Sequence, residues 1–180
     1  MSQTINILKS NLKIGVIGGG SWATAIVKIL QEKNNDLYWW LRSNDQISFI
    51  KENNHNPRYL SSATINIRKV MLTPKLDTIL DNCDVIIVAI PSEFIHDTFL
   101  NINKEKLKNK ILVSAVKGII PQLNLLPALY FKNKFSLPFE SVAVISGPCH
   151  AEEVAMEKLS FLTFACENLE IANFLTELFK

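Results

Sequence analysis

Three consecutive glycines, Gly18, Gly19 and Gly20, stand between an apolar run and a helix-like run in "KIGVIGGGSWATAIVKIL", Lys13–Leu30. Glycine loses more conformational freedom on folding than any other residue, so three together mark a backbone that must do what a side chain would forbid. The segment from Gly18 to Ala23 fits the spacing G-x-G-x-x-G/A. It follows a strand pattern and opens a helix, the context this motif requires. Gly18 permits a tight strand-to-helix turn, Gly20 lets a pyrophosphate approach the backbone, and small Ala23 lets the helix lie close to a sheet. The helix start then offers unpaired N–H groups and a partial positive charge to phosphate. A merely tight turn is the plain alternative; the strand before and the helix after favour dinucleotide binding.

Along the rest of the chain, apolar β-rich runs alternate with helical patterns. Strands are expected over Lys13–Ile17, Leu37–Leu41, Asp84–Ile90, Lys110–Val116, Ser141–Ser146 and Ser160–Ala165. Helices are expected over Ser21–Lys33, Asp45–Asn53, Pro74–Asn82, Glu93–Leu100, near Glu152–Met156, and over Glu167–Lys180. The last carries Ile171, Phe174, Leu175 and Leu178 on one face. Runs such as "DVIIVAI" and "KILVSAV" are apolar at nearly every position, as in strands buried on both faces. The fold class that follows is α/β: a Rossmann-type, doubly wound, mostly parallel sheet with helices on both faces. Right-handed crossovers place the strand C-termini along one edge, where ligands of such sheets sit.

Composition narrows the function classes. The chain has 180 residues, 48% hydrophobic, 20% charged, with a net charge of +2. That suits one domain, or one domain and the start of another. No basic run is interleaved with aromatics, which disfavours a nucleic-acid partner. No apolar run reaches the roughly 18 residues of a membrane span. The first eleven residues lack a basic n-region and a long apolar core, so no signal peptide is expected. The three cysteines, Cys83, Cys149 and Cys166, are spaced for neither zinc nor a disulfide framework, which suggests reduced thiols in a cytoplasm.

The strand ends supply the candidate ligand contacts. An acidic residue near the end of the second strand would hold a ribose 2′-hydroxyl; here "WWLRSND" places Arg42 there, and a guanidinium suits a 2′-phosphate. NADPH is therefore expected to be accepted. In "VAIPSEF", Pro91 ends a strand and Ser92 is positioned to cap the next helix. In "SAVKGII", Lys117 emerges where a nicotinamide would lie and can meet an anionic or carbonyl-bearing substrate. In "ISGPCHAEEVA", Cys149 and His150 precede a helix whose first turn holds Glu152 and Glu153. His150 could donate a proton near neutral pH. A loop histidine and a packed cysteine are the simpler readings of that pair.

The ordered set "GVIGGGSWATA", "NPRYL", "VAIPS", "AVKGI" and "SGPCHAEEVA" resembles the bacterial NAD(P)-dependent glycerol-3-phosphate dehydrogenases, from about Lys13 to the end of the chain. Ala23 stands where that family usually has Gly, and Cys149-His150 where Ser or Thr followed by Phe is common. The resemblance implies reversible hydride transfer between NAD(P)H and dihydroxyacetone phosphate, giving sn-glycerol 3-phosphate for phospholipid synthesis. Carried over by position, Ser21, Trp22, Arg42, Tyr59 and Ala151 would contact NADP or NAD. Lys117 would touch both cofactor and substrate, and Gly147 and Cys149 would lie at the substrate. It further implies a homodimeric intact enzyme with an all-helical substrate domain, which carries a lysine acting as general acid/base. The expectation is that residues 1–180 are the cofactor-binding half, without that second domain and its lysine, binding NAD(P)H with negligible turnover. The competing reading is a non-catalytic dinucleotide-binding redox sensor.

Overall fold

The computed structural model describes residues 12–33 and 36–180; the N-terminal stretch read above for a signal peptide lies outside them. Seven strands form one sheet in the order β3-β2-β1-β4-β5-β6-β7. They are β1 (Ile14–Ile17), β2 (Leu37–Trp40), β3 (Val70–Thr73), β4 (Val85–Val88), β5 (Ile111–Ser114), β6 (Val142–Ser146) and β7 (Thr163–Ala165). All neighbours pair in parallel except β7, which runs antiparallel to β6. Among the described residues the path runs from β1, inside the sheet, outward to β3, then returns to β4 on the other side of β1. That reversal is the topological switch point of a doubly wound sheet.

Period-two alternation explains how continuously apolar strands are used. Ile14 and Val16 of β1, Val85 and Ile87 of β4, and Ile111 and Val113 of β5 enter one core. Their neighbours Ile17, Ile86, Val88 and Leu112 enter the other. The first core is closed by α1 (Ser21–Leu30), α2 (Asn44–Asn53) and α7 (Leu169–Leu178), through residues such as Ile26, Ile50 and Leu175. The second is closed by α3 (Leu76–Asn82), α4 (Ile95–Phe99) and α5 (Pro127–Phe135), where Phe99 meets Phe131 edge-on at 5.1 Å between centroids. The short α6 (Ala151–Ala155) lies outside this sandwich, on the flank of α1, where Ala25 packs with Val154 and Ala155.

The element ends have local causes. The Ser43 hydroxyl accepts from the Gln46 amide at the start of α2, and Asn54 closes that helix in the left-handed region with φ 58°. Pro127 opens α5 at a position whose N–H would be unpaired anyway. Asn168 caps α7 by accepting from the amides of Glu170 and Ile171.

Several expectations are corrected here. β3 and α5 were not foreseen. β3 is a short edge strand with Met71 exposed, so it lacks the continuous apolar run of its neighbours. The helix expected over Glu93–Leu100 is a 3-10 turn (Ser92–Phe94) followed by the five-residue α4. Ser92 makes no capping bond there, because Pro91 and not Ser92 holds the cap position of that turn. The strand expected over Ser160–Ala165 is only the three residues of β7.

Candidate functional site

The C-terminal ends of β1, β4, β5 and β6 meet around a cleft of about 380 Å³. Gly20, Ser21 and Trp22 form one wall at the start of α1. Ala89 to Pro91 follow β4, and Ala115 to Lys117 follow β5. Cys149 to Glu152, from the loop after β6 and the start of α6, face them. Four chain segments separated by up to about 130 residues therefore converge at the switch point, as the crossover rule requires.

Gly18 and Gly20 serve this cleft in different ways. Gly18 is buried with φ +139°, and a Cβ there would stand 2.2 Å from the carbonyl oxygen of Ala89. The turn after β1 can thus lie against the end of β4 only because Gly18 has no side chain. Its carbonyl accepts a bond of 2.6 Å from the indole N–H of Trp39, which is fully buried in β2. Gly20 has ordinary dihedrals, φ −85° and ψ −177°, and occupies the N-cap position of α1 without a side-chain cap. A Cβ on Gly20 would meet no protein atom within 4 Å. The space it would fill belongs to the cleft, in front of the unpaired amides of a ten-residue helix. The partial positive charge of that helix start and the open space beside Gly20 suit a phosphate.

The expected site residues divide by position. Gly20, Ser21, Trp22, Lys117, Cys149 and Ala151 line the one cleft. Tyr59 and Arg58 line an adjoining recess of about 460 Å³ that shares Ser21 and Glu152 with it. Arg42 is exposed two residues past β2, its guanidinium 5.9 Å from the ring centroid of Phe94 in the turn after β4. It therefore sits on the same sheet edge, outside the cleft. Gly18 and Ala23 lie beneath the wall, Ala23 fully buried in the first core. Gly147 does not line the cleft. With φ +141°, and a would-be Cβ 2.2 Å from the Phe161 carbonyl oxygen, it is required by the backbone itself. Cys149 is 7% exposed and packs with Ala25, Ala63 and Val154; its thiol is 3.8 Å from the Gly147 carbonyl oxygen. His150 lines the cleft and is exposed.

Thr24, Gln46 and Asn56 were missed. All three pack beneath the glycine turn, and Thr24 and Asn56 are completely buried. The only signal for Asn56 was its place in "NPRYL", a polar residue ahead of Pro57.

A doubly wound sheet whose switch point opens onto a side-chain-free helix start defines a Rossmann-type domain. The comparisons agree and go further. The chain belongs to the NAD-dependent glycerol-3-phosphate dehydrogenase N-terminus family, whose profile matches residues 13–172. It is 32% identical over 169 residues to the glycerol-3-phosphate dehydrogenase (NAD(P)+) of Bacillus pumilus, covering 93% of this chain and 48% of that protein. It is 35% identical over 158 residues to that of Pseudomonas fluorescens, covering 88% and 44%. The crystal structure of glycerol-3-phosphate dehydrogenase from Coxiella burnetii shares the fold with a TM-score of 0.83 at 23% identity, covering 94% of this chain and 51% of that one. The chain thus spans about half the length of the curated relatives it matches.

Proposed function

We propose that the cleft binds NADPH or NADH and that the chain is the cofactor-binding half of a glycerol-3-phosphate dehydrogenase. Its reaction is the reversible reduction of dihydroxyacetone phosphate to sn-glycerol 3-phosphate. The observation that carries this reading is the convergence of an open helix start at Gly20 to Trp22 with Lys117 in a single cleft. Bound there, the nicotinamide supplies the hydride. The residues of this chain do the holding. The amides at the start of α1 take the pyrophosphate, with Gly20 leaving room for it. Trp22 and Ala151 border the dinucleotide, and Tyr59 closes its flank from the adjoining recess. Lys117, a cation at the end of β5, draws the anionic substrate toward the nicotinamide and polarises its carbonyl oxygen, next to Cys149. Hydride transfer also needs that oxygen protonated in the same geometry. The resemblance gives this task to a lysine of a helical domain.

Arg42 selects the cofactor. At the exposed end of β2 its guanidinium can pair bidentately with a 2′-phosphate. The family resemblance also supports a homodimeric intact enzyme, the spacing of the three cysteines suits reduced thiols in a cytoplasm, and the low net charge of +2 speaks against a nucleic-acid partner. Fluorescence titration with both reduced cofactors tests the reading. Binding of NADPH is expected, and Arg42→Ala should weaken NADPH by about tenfold while leaving NADH within about twofold. Equal losses for the two would remove Arg42 from cofactor selection, and no binding of either would remove the dinucleotide reading.

A further inference from the structure

Beneath the glycine turn lies a buried polar cluster. The Asn56 carboxamide donates to the Gly19 carbonyl at 3.1 Å and to the Thr24 hydroxyl at 2.8 Å. Its oxygen accepts from the Gln46 side chain at 3.2 Å and from the Arg58 amide at 3.1 Å. All of its usual hydrogen-bonding capacity is used, and its orientation is fixed: a carbonyl oxygen can only accept, so the NH₂ must face Gly19. Gln46 adds a second donor to the Gly19 carbonyl at 2.9 Å. The Thr24 hydroxyl passes its own proton to the Gly20 carbonyl at 2.9 Å, beside the helical bond from the Thr24 amide at 3.0 Å.

These bonds determine where the amides of the turn point. The peptide group is planar, and no cis bond occurs among the described residues, so each N–H is directed opposite to the carbonyl of the residue before it. Holding the Gly19 carbonyl inward directs the Gly20 N–H outward. Holding the Gly20 carbonyl inward does the same for the Ser21 N–H. Glycine peptides are the ones most free to rotate, so this turn has the greatest need of such restraint.

We propose that Asn56, with Gln46 and Thr24, is the positioning device of the dinucleotide site, locking two successive glycine carbonyls against the scaffold so that the Gly20 and Ser21 amides stand ready for a pyrophosphate. The proposal rests on the reading that the cleft takes a dinucleotide. Asn56, Gln46 and Thr24 do not line the cleft; they act through the backbone they hold.

The test uses the full chain and NADPH, with binding read by energy transfer from tryptophan and folding by circular dichroism and Tm. Thr24→Val keeps the shape and removes the hydroxyl, and Thr24→Ser restores it. Thr24→Val is expected to bind NADPH about tenfold more weakly while remaining folded, with Thr24→Ser within about twofold of the parent. Asn56→Ala is expected to lose more, about thirtyfold, because it removes one donor from the Gly19 carbonyl and the group that orients both Gln46 and the Thr24 hydroxyl toward the turn. Should Asn56→Ala fail to fold, the Thr24 pair decides. If Thr24→Val is folded and binds within twofold of the parent, the positioning role is overturned while the dinucleotide reading stands. If the parent itself binds no NADPH, the underlying reading fails first.

Discussion

Gly18 and Gly20, two positions apart, meet opposite demands. Alanine at Gly18 would force a side chain onto a positive φ and against the Ala89 carbonyl. Gly18→Ala should therefore cost about 2 kcal/mol or more, a fall in Tm of about 4–8 °C. Alanine at Gly20 meets no protein atom and keeps an allowed backbone. Gly20→Ala should lower Tm by no more than about 2–4 °C, since Ala is a poorer N-cap than Gly by about 1 kcal/mol or less, yet weaken NADPH at least about tenfold. Thermal melts and cofactor titrations on the two variants check both halves; a loss of affinity out of proportion to the loss of stability at Gly20 is the signature of space reserved for a ligand. The motif spacing marked both glycines as special. It did not say which protein atoms or which void each one answers to, because Ala89 lies more than seventy residues away.

At the level of elements, legibility followed burial on both faces. β1, β4 and β5 are buried at every position, and their continuous apolar runs announced them. β3 and β7 are edge strands with exposed residues, and an edge strand is half specified by the neighbour it pairs with. α5 went unread although Tyr130, Phe131 and Phe135 form a buried stripe, because lysines and an asparagine interrupt it. The last helix was legible from its apolar face, but its cap was not, since the expected span Glu167–Lys180 placed Asn168 inside the helix. Asn168 accepts from two amides at the start of α7. Asn168→Ala should cost about 1 kcal/mol and lower Tm by about 2–4 °C, measured by thermal denaturation.

For the whole molecule, two buried groups tie stability to alkaline pH. Burial pushes the Cys83 thiol from 9.0 up to about 12. Burial, with Asp97 nearby, pushes the Tyr130 phenol from 10.0 up to about 12. Between those values the folded chain keeps a proton that the unfolded chain has released, so stability is full below about pH 9 and falls as pH rises through the window. Urea denaturation from pH 7 to 11 should show this decline, and Cys83→Ala should make it shallower at a cost of about 1 kcal/mol at neutral pH. A decline of the same slope in Cys83→Ala would remove the thiol from the account. Cys83 should also resist alkylation until the protein unfolds, as its thiolate is scarce.

The sequence by itself determined the doubly wound class, the place of the glycine turn and the segments that close around it, because strand apolarity, glycine spacing and strand-end chemistry are local properties. Only the tertiary structure decided which of those residues share a cleft. It set Arg42 outside beside Phe94, gave Gly147 to the backbone, and brought Asn56 under Gly19 from 37 positions away. The physical reason is that a hydrogen bond or a void depends on the distance between atoms in space, and that distance exists only once the sheet has brought the strand ends together.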